Sequence, residues 1–340
     1  NEVLVSAGKY DKIVRLKNDV IIDYYLHPTD LIILLIRNGN NHYLKLKYAY
    51  SSISKDSLLL DSPVYQIFRD PIGNFFLIGK KHALQFNIVN QKFVLQKPVT
   101  RMEFNDFIAP LVLSSHNLAV FESWTDHNQR YSLIAQNNHA SSILYEYFDS
   151  SKYENASYHY NKAVEFYMSI THEKENVILL GLWDGNLISL PNRPNSELNP
   201  SEIDPTADLL RMTTWSAKIA SKKLMVNTYD MEDNLLILNA ENNRLIKFSK
   251  PELCKERTIY LDFNLTGDYF LDFFFDNLYM FDQNKVVTTV YKLNCDEGQR
   301  TKIGEIEAGL RPDNIKVMND TVYFTTLNDN QYKELIMLKK

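Results

Sequence analysis

The chain has 340 residues and a net charge of −5, with acidic and basic residues interspersed, which argues against a broad cationic face for nucleic acid. Its longest apolar run, Leu31 to Ile36, falls far short of the ~20 residues that a membrane-spanning helix needs. With 21 Tyr, 18 Phe and only 10 Gly, the composition leans towards strands and away from glycine-rich phosphate loops.

In chain order, the opening stretch Glu2 to Leu16 carries strand-like apolar positions at Val3, Val5, Ile13 and Val14. A recurring unit follows: an alternating strand, a polar turn, a second strand of consecutive apolar residues, another turn, and a third strand. It first reads as Val20 to Tyr25, His27 to Asp30, Leu31 to Ile36, Asn38-Gly39-Asn40 and His42 to Tyr48. The next copy runs Val64 to Phe68, Asp70 to Asn74, Phe75 to Ile78, Ala83 to Ile88 and Lys92 to Leu95, with Pro71 early and Gly73 late in its turn as β-turn geometry prefers. Weaker copies lie at Arg101 to Phe148, Lys223 to Phe248, Phe270 to Leu293 and Ile315 to Leu338. The clearest copy, Glu165 to Leu190, is built around the Asp184-Gly185-Asn186 hairpin signal.

Taking Leu31, Phe75, Leu118, Val177, Leu235, Leu278 and Val322 as equivalent second-strand starts, the steps are about 43 to 59 residues, the spacing of propeller blades. The expectation is one all-β domain over residues 1–340, a β-propeller of seven blades by this count, with six as the alternative. The last copy shows three strands, so the N-terminal strand is expected to complete its blade and remove an open edge. The proline-bearing stretch Pro191 to Asp208 reads as an inter-blade loop, with a linker between two domains as the alternative.

No nucleotide loop, GxSxG elbow, HExxH, CxxC or EF-hand loop occurs, so no cofactor and no metal site is expected. The acidic turn Asp230 to Asn234 reads as a solvated hairpin turn. Cys254 and Cys295 lack neighbouring ligand residues and fit either free thiols or one disulfide. The chain opens on Asn1 rather than Met, which fits a processed or trimmed protein. Residues expected to face a central channel and bind a ligand are Asp23, His27, Asp70, His116, His172, Asp230 and Asp272. Among these, His27, His116 and His172 hold comparable places at the first turn of their copies.

At the turns Asp70-Pro71-Ile72-Gly73-Asn74 and Trp183-Asp184-Gly185-Asn186 the chain resembles TolB-like and NHL-like propellers. Low Gly with abundant Asn, Lys, Ile and Tyr further resembles uncharacterised propeller lipoproteins of Bacteroidetes. That resemblance implies six blades and an exported, periplasmic or envelope-associated protein, with a lipid anchor upstream of this chain, while composition alone leaves a cytoplasmic setting open. Two function classes are carried forward, because propellers host both. The first is a non-enzymatic binding or scaffolding module presenting one face to a protein or glycan. The second is a hydrolase or lyase with a polar site in the channel.

Overall fold

A computed structural model describes residues 9–154, 180–189 and 223–338, apart from 17, 50, 52, 116, 127, 138, 139, 184, 185, 266, 267, 329 and 330. Its strands are β1 (Tyr10–Arg15), β2 (Val20–Leu26), β3 (Leu31–Asn38), β4 (Asn41–Tyr48), β5 (Ser54–Leu60), β6 (Val64–Arg69), β7 (Phe75–Gly79), β8 (His82–Val89) and β9 (Lys92–Thr100). After a short helical segment over Arg101–Ile108 come β10 (Leu111–Ser115), β11 (Leu118–Thr125), β12 (Arg130–Asn137) and β13 (Ser141–Phe148). A hairpin of β14 (Leu180–Trp183) and β15 (Asn186–Ser189) follows, then β16 (Val226–Asp230), β17 (Asn234–Asn239), β18 (Arg244–Ser249) and β19 (Cys254–Tyr260). The chain continues with β20 (Asp268–Asp272), β21 (Asn277–Gln283), β22 (Val287–Asn294), β23 (Gln299–Glu307), β24 (Pro312–Met318), β25 (Thr321–Asn328) and β26 (Gln331–Leu338).

Among the described residues six four-stranded sheets result: β2-β3-β4-β5, β6-β7-β8-β9, β10-β11-β12-β13, β16-β17-β18-β19, β20-β21-β22-β23 and β24-β25-β26-β1. We number them first to sixth in that order. The fold is a six-bladed β-propeller. The expected closure is present, since β1 runs antiparallel to β26 and supplies the outer strand of the sixth blade. Six of the seven proposed second-strand starts fall within one residue of β3, β7, β11, β17, β21 and β25.

The count of seven is corrected to six. Most of the copy at Glu165 to Leu190 lies outside the described residues, as does Pro191 to Asp208. What is described there is the β14-β15 hairpin, paired Leu180↔Ser189 to Trp183↔Asn186, and not a four-stranded sheet. An Asp-Gly turn specifies two strands and their register, whereas a blade needs two further partners that a local signal cannot supply.

Backbone packing divides the chain into two compact units. One comprises Asn1–Phe121, Ala135–Ser141 and Met225–Lys340; the other comprises Glu122–Ile134 and Ser142–Leu224. Within the second unit, Trp124 packs edge-on against Tyr131 at 5.2 Å, and the Lys223 ammonium sits 3.9 Å above the Trp124 ring. Arg130 there bridges Asp126 and Glu146 at 2.6 and 2.9 Å.

The first unit explains the consecutive apolar strands. Side chains alternate across a strand, so Ile32, Leu34 and Ile36 of β3 pack with Ile13, Val14, Ile21, Tyr24 and Leu335 towards the sixth blade. The intervening Ile33 and Leu35 pack with Leu44, Val64, Ile67, Leu77 and Phe86 towards the second. The same division recurs in β21: Tyr279 and Phe281 join the sixth-blade cluster, while Leu278 and Met280 join Leu236, Leu238 and Leu245 of the fourth. A strand buried on both faces needs no polar alternation. Pairing registers shift along β2, β6, β10 and β24 and again at the outer strands, and each such bulge adds twist to a short sheet. Both cysteines are free; Cys254 is exposed, and burial pushes the Cys295 thiol up to about 12.

Leu34 and Leu35 are 1% and 0% exposed on opposite faces of β3, and each should lose about 2–5 kcal/mol on replacement by Ala, measured by urea unfolding. A sheet with a solvent face would suffer from only one of the two substitutions.

Candidate functional site at the first turns of the blades

The first strands of neighbouring blades lie against one another, β2 with β6, β20 with β24 and β10 with β16, as strands nearest a propeller axis do. The turns that follow these strands therefore share one end of the axis. Two of them are built alike. The His27 amide donates to the Leu31 carbonyl at 2.9 Å with Asp30 at φ 59°, and the Asp70 amide donates to the Asn74 carbonyl at 2.9 Å with Gly73 at φ 99°.

The expected ligand-binding carboxylates are near this end, but each is already engaged. Asp23, 6% exposed, accepts from the Tyr24 amide at 2.7 Å, Asn314 Nδ2 at 2.8 Å and Lys316 Nζ at 2.8 Å on one oxygen. Its other oxygen accepts from the Ile67 amide of the second blade at 2.8 Å. Asp70 closes its own turn, accepting from the Asn74 amide and side chain at 2.7 and 2.8 Å. Asp230 pairs with the Lys250 ammonium, which also donates to the Met231 carbonyl, so a lysine supplies the cation in that acidic turn. Burial nevertheless raises the Asp230 carboxyl above its ordinary value. Asp272, 2% exposed, accepts from the Phe274 amide at 3.2 Å and from the Asn319 amide of the sixth blade at 2.7 Å. His116 and His172 lie outside the described residues. Among the described residues no group of three or more His, Cys, Asp or Glu is placed to hold a metal.

The exposed feature at this end is one the sequence reading missed. Asp272 pins the turn Phe273-Phe274-Phe275, whose rings remain 41%, 38% and 40% exposed. This fifth-blade turn touches blades that are not its neighbours. The Arg69 guanidinium of the second blade stacks 3.7 Å above Phe273 and lies 5.9 Å from Phe274. From the first blade, Tyr25 and His27 meet Phe274 edge-on at 6.2 and 5.2 Å. In a six-bladed propeller the second and fifth blades are opposed, so these contacts cross the axis. Gly73 leaves room for the guanidinium, since a Cβ there would stand 3.3 Å from Arg69 Nη2. His27 is thus brought to the cluster, its Nδ1 2.8 Å from Thr29 Oγ1. Tyr25 is also edge-on to Phe75 at 4.8 Å, and burial pushes its hydroxyl up to about 12.

Three consecutive exposed phenylalanines in a turn break the rule that turns are polar, and that break was the available signal. The assembled surface offers flat apolar area, one stacked guanidinium and one imidazole.

Burial raises the Asp272 carboxyl, outweighing the hydrogen bonds from the Asn319, Phe274 and Phe275 amides. A raised carboxyl favours folding in its neutral form, so this contribution is complete below the ordinary Asp value and is lost as pH climbs through the raised one. Asp272→Asn cannot ionise and should gain on the wild type in unfolding free energy between about pH 4 and pH 7. A difference that stays flat across urea titrations at these pH values would contradict the assignment.

No family model and no curated protein matches the chain. Among solved structures it is similar to U3-55K, at 10% identity over 98% of this chain and 99% of that one, with a TM-score of 0.41. A luciferin-regenerating enzyme is similar at 9% identity over 97% and 95%, with a TM-score of 0.37. The β-propeller domain of Myceliophteria thermophila Cps50 (Swd1) is similar at 8% identity over 97% and 100%, with a TM-score of 0.36. None of these likenesses bears on what this chain binds.

Proposed function

We propose that this protein is a non-enzymatic binding propeller that holds a protein partner on the end carrying the Phe273–Phe275 turn. The observation that carries the reading is the triplet itself. Three rings near 40% exposed, held rigidly by a buried carboxylate beneath them, form the kind of apolar patch that marks an interaction surface. Aromatic and Arg side chains are the residues that dominate protein interfaces. A glycan would want a set of unspent polar groups beside the rings, whereas Asp23, Asp70 and Asp272 are committed to backbone and side-chain donors. The same commitments leave a hydrolase or lyase mechanism short of a free acid–base pair among the described residues. On the resemblance of its turns to TolB-like propellers, we place the protein in the cell envelope with a lipid anchor upstream, a placement that fractionation of the native cells would test.

A selection of randomised peptides displayed against the folded protein should enrich binders that Phe274→Ser weakens by about 30-fold, the effect of losing a central anchor worth about 2 kcal/mol. Binders indifferent to Phe274→Ser, with the variant as heat-stable as the wild type, would contradict the proposed surface.

A further inference from the structure

The ligand chemistry can be narrowed further on the assumption that the Phe273–Phe275 end is the binding surface. Arg69 is the key. Its guanidinium is stacked on Phe273, which fixes its plane, and among the described residues it makes no ion pair and its side chain donates no hydrogen bond. Asp272, at the base of the triplet, faces the amides of Phe274 and Asn319 instead. Asp70, next in sequence, is spent on Asn74. A planar, half-buried guanidinium with unspent donors matches a carboxylate, which accepts two parallel N–H bonds along its edge. Stacking also spares part of the entropy that holding a long side chain would otherwise cost.

The surroundings set what flanks that carboxylate. On one side are the Phe273–Phe275 rings and exposed Ile72, from the same turn that packs against Arg69. On the other side of the triplet is an acidic stretch, because the Glu232 amide donates to Asp276 Oδ1 at 2.9 Å and so draws the exposed Glu232-Asp233 turn up beside it. A run of acidic residues would be repelled there. A single acid next to an apolar side chain would not.

We infer that this surface takes an extended peptide segment of its partner in which one Asp or Glu side chain engages Arg69 and an adjacent apolar side chain rests on Phe273–Phe275.

The test uses arrays of N-acetylated, C-amidated decapeptides carrying one Asp or Glu beside Leu, Phe or Trp, together with matched arrays in which the acid is Asn or Gln, is repeated as an acidic run, or is replaced by a free C-terminal carboxylate. The single-acid peptides should bind about tenfold more tightly than their amide counterparts and more tightly than the acidic runs. Arg69→Gln should abolish that preference while leaving the residual apolar binding. Arg69→Lys, which keeps the charge and guards against a folding defect, should retain part of it. Peptides that bind in a Phe274-dependent way without preferring an acid, or that keep the preference in Arg69→Gln, overturn this inference and leave the binding surface standing. A preference for the free C-terminal carboxylate overturns the side-chain assignment. Failure of all arrays to bind, or binding unaffected by Phe274→Ser, overturns the binding surface itself.

Discussion

The structure depends on carboxyl groups, buried at Asp23 and Asp272 and partly exposed at Asp56 and Asp276, that accept backbone N–H groups from the neighbouring blade. Asp23 of the first blade takes the Ile67 amide of the second, and Asp56 takes the Phe93 amide. Asp272 of the fifth takes the Asn319 amide of the sixth, and Asp276 takes the Glu232 amide of the fourth. Burying a backbone amide unpaired costs about 1–3 kcal/mol. Asp23 and Asp272 remove that cost, and all four bonds fix how one blade is set against the next. Dispersion between apolar faces has no such directional preference.

The placement of the Phe273–Phe275 end follows from these bonds. Asp272 holds its own turn and the next blade together, so Phe273 to Phe275 project from a fixed base instead of folding back onto apolar neighbours. Asp23 does the same beneath Tyr25 and His27, helped by Lys316, whose ammonium also reaches the Tyr24 carbonyl. With both bases fixed, Arg69 meets Phe273 from the opposite blade, and an aromatic path runs outward from Phe274 through Tyr25, Phe75 and Phe86 to Phe93. Rigid aromatic presentation lowers the ordering cost of binding.

The blades were legible because their apolar runs and polar turns repeat at a spacing that neither a helix nor an isolated hairpin produces. The β1–β26 closure was legible for a related reason, as the last copy lacked one strand. Blade number was less so, since the Asp184-Gly185 turn reports only a hairpin. The candidate site was half legible. Asp23, Asp70 and Asp272 stand out in the sequence as acidic residues beside turns, and the Asn74 amide that Asp70 accepts lies in its own turn, but the Ile67 and Asn319 amides that Asp23 and Asp272 accept belong to other blades and are not given by sequence order. Arg69 and Phe273 lie about 200 residues apart, and only closure of the fold makes them partners.

The second and fifth blades thus meet across the axis at Arg69 and Phe273. A double-mutant cycle of Arg69→Ala and Phe273→Ala, read by urea unfolding, tests that contact directly. The stacked pair predicts a coupling of about 0.5–2 kcal/mol. Effects that add to within about 0.3 kcal/mol, as for residues far apart, would contradict it.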